Sequence, residues 1–273
     1  MSPIEYLMTE KMPLRRALKR LIGRAELGSF LFRYRIDALQ RMQYAYILYQ
    51  AAKLAFKLGQ RRISAIEFGV AGGRGLLCME RYAEEIERLF PVEIEIYGFD
   101  TGEGLPPPKD YRDLPYHWQE GFFAMDGQQL RDRLRRSKLV IGNVADTWQG
   151  FVSDFSPAPI AAVAHDLDFY SSTVDGLKLF GIDHSHLMPR IFCYFDDTLG
   201  SDVELYSDFT GERLAIEEFN AGTADGKIAV PYYLRTQEGL GAWRHQIWVC
   251  HLFAHPRYND FVGEPNQQLS LAS

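Results

Sequence analysis

Ile63-Ser64-Ala65-Ile66-Glu67-Phe68 runs directly into Gly69-Val70-Ala71-Gly72-Gly73-Arg74-Gly75. A short apolar run of this length reads as a buried strand. The glycines that follow admit positive φ and let a ligand approach the backbone with no Cβ in the way. Leu76 to Leu89 then has helical spacing, so the unit is strand, tight turn, helix. A glycine turn alone serves a dinucleotide, a phosphate or mere close packing. No lysine follows as a P-loop requires, which disfavours nucleoside triphosphate hydrolysis. The next strand, Val92 to Phe99, ends on Asp100, where a carboxylate can accept hydrogen bonds from both ribose hydroxyls.

Downstream the same alternation continues. Helices are expected at Gln128 to Arg136, Ser172 to Phe180 and Glu212 to Asn220, and strands at Leu139 to Ile141, Ile160 to Ala164 and Ile191 to Phe195. The last two strands end at His165-Asp166 and at Asp196-Asp197. Two late strands, Ile228 to Leu234 and Gln246 to Phe253, leave no room for a crossover helix and should pair antiparallel. Tyr232 and Tyr233 read as strand residues. Upstream, the first sixty residues read as helices. Leu14, Leu18, Leu21 and Ile22 share one face, opposite Arg15, Arg16, Lys19, Arg20 and Arg24. That face suits docking on its own domain or a second subunit better than a membrane surface. A second helix is expected from Arg35 to Leu58, stopping at Gly59. The fold class is therefore α/β and Rossmann-like: a mostly parallel sheet with one antiparallel strand, preceded by N-terminal helices.

In such sheets the ligand sits outside the carboxyl ends of the strands, and that is where the aspartates cluster. A dehydrogenase is the competing reading. Gly69, Gly73 and Gly75 fit a GxxxGxG spacing, and Tyr49 with Lys53 fits YxxxK, but that pair precedes the turn instead of following it. Asp166, Asp196 and Asp197 are suitable ligands for a hard divalent cation, with helix capping as the alternative role. His165 is a candidate base or ligand, against a hydrogen-bonded structural histidine. Asp146 follows the third strand, near where an adenine would lie, and could equally start a helix. His117, Trp118, Phe122 and Phe123 lie in a long loop that could cover a substrate.

Composition narrows the classes. The 273 residues are 47% hydrophobic, which suffices for a large core. A net charge of -6 argues against general nucleic-acid binding. Three widely spaced cysteines, Cys78, Cys193 and Cys250, form no metal-ligand spacing and suit a reducing compartment. Met1 to Met12 carries Glu5, Glu10 and Lys11 and does not read as a signal peptide, and no stretch is apolar enough to span a bilayer. A cytoplasmic location is expected.

The chain resembles the macrocin O-methyltransferase family, which methylates sugar hydroxyls. The resemblance rests on four motifs in family order: Ile66-Glu67-Phe68-Gly69-Val70-Ala71-Gly72-Gly73, Asp100-Thr101-Gly102-Glu103-Gly104-Leu105-Pro106-Pro107-Pro108, His165-Asp166-Leu167-Asp168-Phe169-Tyr170-Ser171-Ser172-Thr173, and Asp196-Asp197. It implies a class I methyltransferase fold using S-adenosylmethionine. It also implies a divalent cation, usually magnesium, on Asp166, Asp196 and Asp197, with Asp168 as general base. Expected cofactor contacts are Glu67, Gly69, Gly73, Asp100, Thr101 and Asp146. The family's Trp and Arg at the turn are replaced by Ala71 and Gly72, and the ending from Gly239 to Pro256 differs. The expected organisation is a helical segment over residues 1–60, a methyltransferase domain over 61–256 and a polar tail over 257–273. The expected partners are a small-molecule sugar or polyol, such as a glycosylated natural product or polysaccharide precursor, and a second copy of the chain. The alternatives are an NAD(P)-binding short-chain oxidoreductase, a metal-independent methyltransferase and a non-catalytic Rossmann-like interaction domain.

Overall fold

The computed structural model describes residues 13–236 and 241–268, with residues 13–16 described by their backbone only. In chain order the elements are α1 (Pro13–Arg24), α2 (Phe30–Arg35), α3 (Met42–Lys57), β1 (Arg62–Phe68), α4 (Arg74–Glu87), β2 (Glu93–Asp100), α5 (Gly127–Arg131) and β3 (Lys138–Ile141). They continue with α6 (Val144–Phe155), β4 (Ile160–His165), α7 (Tyr170–Leu177), β5 (Leu187–Phe195), α8 (Gly211–Gly222), β6 (Gly226–Ala229), α9 (Tyr232–Arg235) and β7 (Ile247–Leu252).

The seven strands lie in the order β3-β2-β1-β4-β5-β7-β6. β1 to β5 pair parallel, and β7 runs antiparallel to both β5 and β6. β7 is thus the one reversed strand, as the short late connection required. The order turns back between β1 and β4, which opens a crevice at their carboxyl ends. Every residue of β4 is buried, as expected of a central strand covered on both faces.

One face of the sheet is filled by α3 and α4. Tyr44, Ala45, Ile47, Leu48 and Ala51 of α3 join Ile63 and Ala65 of β1, Leu76 and Met79 of α4 and Tyr194 of β5 in a continuous apolar cluster. The other cluster joins Ile66, Phe68, Phe99, Val163 and Phe195 of the strands to Phe151, Leu177 and Ile216 of α6, α7 and α8. Among the described residues no helix is long and apolar enough to cross a membrane. The three cysteines are free, and Cys193 and Cys250 are buried as small hydrophobes.

Several boundaries differ from expectation. The helix foreseen from Arg35 to Leu58 is split: α2 ends at Arg35, and α3 begins only after Arg41, whose φ of 49° is left-handed. The helix foreseen over 128–136 is cut to Gly127–Arg131. The segment 144–155, where the sequence leaves Asp146 open between a cofactor contact and a helix start, forms α6 with the Asn143 side chain accepting from the Ala145 amide. β6 ends at Ala229. Pro231 cannot donate to a ladder, and Tyr232 and Tyr233 sit in the helical turn α9 instead of a strand. On α1, Leu18 and Leu21 are more than half exposed, so the described part of the domain does not cover this apolar face. The polar end of the chain docks on α3 and β5. Lys57 Nζ donates to Val262 O at 2.8 Å, and Arg190 donates to Tyr258 O at 2.7 Å.

A buried carboxylate joins α4 to the start of β3. Glu80 is 5% exposed, and its oxygens accept the backbone amides of Arg135, Arg136 and Ser137 at 3.0, 2.9 and 2.7 Å. Burial pushes this carboxyl up, but the backbone donors outweigh it and hold it below the ordinary range. Glu80→Ala strands three amide groups and should cost ~2–4 kcal/mol by urea unfolding. Because the folded value is depressed, the wild-type contribution is present above the unfolded pKa and fades as pH falls through the folded one. The gap between wild type and variant should therefore narrow in acid.

Candidate active site at the switch point

A cleft of about 560 Å³ opens at the carboxyl ends of β1, β2, β4 and β5. The strand register builds it. Phe99, Phe68, His165 and Phe195 lie side by side across β2, β1, β4 and β5 near their carboxyl ends. The next residues along, Asp100, Gly69, Asp166 and Asp196, all line the cleft.

The turn after β1 is held from two sides. Gly69 has φ of 80°, and a Cβ there would come within 1.7 Å of the Asp166 carbonyl oxygen. Gly73, φ 73°, is packed against Leu130, where a Cβ would meet Cδ1 at 2.2 Å. Gly73 does not itself line the cleft; Gly72, Arg74 and Gly75 do. Asp100 Oδ2 accepts the amides of Val70 and Ala71, each at 2.8 Å, and Oδ1 accepts Gly102 at 2.7 Å. The carboxylate foreseen as a ribose acceptor is thus first a clamp on the glycine turn. Thr101 also lines the cleft, and its hydroxyl donates to Gly104 O at 2.7 Å.

Glu67 is 1% exposed at the end of β1. Its Oε1 accepts the Tyr44 hydroxyl at 2.5 Å, while Oε2 is buried with no hydrogen-bond partner among the described residues. Burial raises this carboxyl to about 8, against the lowering effects of the Tyr44 hydrogen bond and the Arg41 charge.

Besides Asp100, four aspartates converge on the cleft: Asp166, Asp168, Asp196 and Asp197. Asp197 Oδ1 accepts Tyr206 Oη at 2.7 Å and Oδ2 accepts the Asp168 amide at 2.8 Å. The Asp197 amide donates to Glu212 Oε2 at 2.8 Å, so a fully buried glutamate of α8 fixes the backbone here. Asp196 Oδ1 accepts Gln246 Nε2 at 3.0 Å and is also held by the Tyr194 hydroxyl. Burial, then the neighbouring carboxylates, push Asp166 and Asp168 well up. Burial and Asp196 raise Asp197 to about 7. Hard oxygen donors crowded in this way have the chemistry of a divalent-cation site. Among the described residues, however, no three His, Cys, Asp or Glu side chains are gathered into a ligand set.

Besides Gly73, two expected residues, His165 and Asp146, are not brought to the cleft. His165 is fully buried on the opposite face, stacked on Phe195 at 4.3 Å and close to Phe68 and Phe180. Strand alternation explains this, because Asp166 faces the cleft and its neighbour must face away. Neither imidazole nitrogen has a hydrogen-bond partner among the described residues, and burial lowers the ring to about 3. Neutral and enclosed, His165 is neither base nor ligand in this arrangement. Asp146 is exposed in the first turn of α6, while Asn143 and Val144 line the cleft in its place. Asp168 does face the cleft, but with φ of 57° it sits in a left-handed turn and not in the extended continuation of β4.

Arg41, Tyr206, Trp118, Phe123 and Glu204 complete the walls. Of these, the loop aromatics Trp118 and Phe123 were foreseen as a possible cover. Tyr206 and Glu204 come from a segment without regular periodicity, and Arg41 was hidden inside the helix expected to begin at Arg35.

The parallel sheet with β7 reversed, the turn after β1 and the cleft at the switch point make this a Rossmann-like methyltransferase fold. Among solved structures, the calicheamicin methyltransferase CalS11 is similar over 81% of this chain and 86% of its own, with 21% identity and a TM-score of 0.50. The O-methyltransferase NovP is similar over 69% of this chain and 75% of its own, at 17% identity and a TM-score of 0.50. No protein-family model matches the chain. No curated protein matches it either.

Glu67 yields a stability prediction for the ligand-free protein. Its folded pKa lies above the unfolded one, so its contribution is full below the unfolded value and is lost as pH rises toward about 8. Glu67→Gln keeps an acceptor for Tyr44 and removes that loss. Urea titrations should find the variant at pH 8 more stable than wild type by roughly 2–4 kcal/mol, with the gap closing near pH 4.5. A constant gap across this range would place the charge of Glu67 elsewhere.

Proposed function

We propose that the chain is an S-adenosylmethionine-dependent O-methyltransferase acting on a hydroxyl of a sugar or other polyol, in the manner of the macrocin O-methyltransferases it resembles. The carrying observation is the juxtaposition, in one cleft at the switch point, of a glycine turn with an unpartnered buried Glu67 oxygen and a cluster of four aspartates. Both structures compared above are methyltransferases by name. The chain's three free thiols suit a reducing cytoplasm. The uncovered leucines of α1 suit self-association.

When bound, S-adenosylmethionine supplies a methyl group on a sulfonium, open to in-line attack. In this reading Glu67 Oε2 accepts the cofactor's ammonium, and Gly69 and Gly72 leave room for its chain. Asp100 keeps the turn in shape and offers its remaining lone pair to the ribose. Asp166, Asp196 and Asp197 are the residues that would hold a divalent cation, which when bound polarises the acceptor hydroxyl. Asp168 takes the acceptor's proton as the oxygen–methyl bond forms and the sulfur–methyl bond breaks. A carboxylate raised by burial and by its neighbours is a stronger base than a free aspartate, which suits that role. Trp118 and Phe123 line the cleft, where they would exclude water.

S-Adenosylhomocysteine at ~100 times its dissociation constant should stabilise the protein by roughly 2.7 kcal/mol in a thermal-shift assay, and NADPH should not. Stabilisation by NADPH alone would move the chain to the oxidoreductases. Asp168→Asn should slow single-turnover methyl transfer by roughly 10²–10⁴-fold with cofactor affinity nearly unchanged.

The cation is tested separately. Exhaustive chelation should abolish transfer to the acceptor, leave S-adenosylhomocysteine binding in place and be reversed by added magnesium. Full turnover in the chelated protein would assign the four aspartates to a metal-independent reaction.

A further inference from the structure

Arg41 sits at the entrance to α3 in a conformation that suits neither its side chain nor its position. Its φ and ψ are 49° and 59°, the left-handed region that glycine and asparagine favour. It occupies the N-cap of a sixteen-residue helix and makes no side-chain capping bond. A cation at a helix N-terminus also opposes the helix dipole. Local rules broken in this way mark sites where another requirement prevails.

The side chain lines the cleft. It shares the cleft wall with Glu67 and Asp166, and its guanidinium carbon is 5.7 Å from the Tyr44 ring centre. The ion pairs and hydrogen bonds among the described residues nonetheless leave it unpaired with either carboxylate. Glu67 Oε2, the facing acceptor, is likewise unpartnered and buried. A guanidinium without an ion pair and a carboxyl oxygen without a partner thus stand together beside the glycine turn. The pair complements an α-amino acid, whose carboxylate would meet the guanidinium and whose ammonium would give the Glu67 carboxyl the partner it lacks. Guanidinium is well matched to a carboxylate because its planar fork can donate two parallel bonds.

We propose that Arg41 binds the carboxylate of the cofactor's amino-acid end, so that Arg41 and Glu67 together select a zwitterionic nucleoside thioether or sulfonium. This rests on the cofactor reading above. It assigns the N-terminal helical segment a direct part in ligand binding. Arg74 is the other cation on the cleft wall, but it is exposed and is not assigned this part.

The test is calorimetric titration with three probes: S-adenosylhomocysteine, its decarboxylated analogue, which keeps the ammonium, and methylthioadenosine, which lacks both charges. Wild type should bind S-adenosylhomocysteine most tightly. Arg41→Gln should weaken it about 10–100-fold, the range of a lost charge-assisted hydrogen bond or pair, and leave both other probes within about twofold. Arg74→Gln should preserve the wild-type order. Arg41→Gly should melt at the same temperature as wild type or higher, because glycine relieves the left-handed turn, yet show the same selective loss. Equal weakening of all three probes, or no weakening, overturns the assignment to Arg41. Transfer of the selectivity to Arg74 overturns it as well. If wild type binds none of the three, the cofactor reading itself fails, a result distinct from any outcome of the substitutions.

Discussion

The register across β2, β1, β4 and β5 is the constraint from which the cleft follows. It sets Phe99, Phe68, His165 and Phe195 in one row under the helices α6 to α8. Side chains alternate along a strand, so the next residues must emerge on the rim. A slip of one residue in any of these pairings would bury an aspartate among rings and expose a phenylalanine in the crevice. The apolar row therefore enforces the polar one. His165 fits this account as an aromatic member of the row, with its nitrogens left unpaired because the position is built for a ring.

The parts of the site that lie at strand ends were legible in the sequence. Each of Glu67, Asp100, Asp166 and Asp196 closes or follows a short apolar run, and that pattern survives in the fold. What the sequence obscured has identifiable causes. The parity of His165 follows from counting alternation back from Asp166, but its proximity to the motif suggested chemistry. Asp146 lost its place to Asn143 because a helix begins there: Asn143, as the N-cap, stays at the strand-end rim, while Asp146 is carried into the exposed first turn of α6. Arg41 was concealed by a continuous helical periodicity through 35–58 that its left-handed turn interrupts. Glu212 and Tyr206 reach Asp197 only through tertiary packing, and no local pattern reports that.

The cleft also carries a thermodynamic tension. Glu67, Asp166, Asp168 and Asp197 are all pushed toward their neutral forms by burial and proximity. A core chosen for stability alone would not place four such groups around one space. Glu80 is set differently: three backbone amides hold it below the ordinary range and it orders the approach to β3, while Glu212, itself pushed up by burial, fixes the Asp197 amide. Acidic residues in this chain thus divide between those that hold the frame and those that are held ready.

The reversed strand β7 has a consequence for how the chain assembles. β5 acquires its second neighbour only from residues 247–252, after β6 has already been made. Until then the nascent sheet carries an open hydrogen-bonding edge on β5 with Ile191 and Cys193 beside it. Closing that edge requires the last strand to slot between two earlier ones, a long-range pairing that comes late and slowly. During synthesis, β5 is therefore where an intermediate would stick to another chain, and where a chaperone would find its unpaired strand.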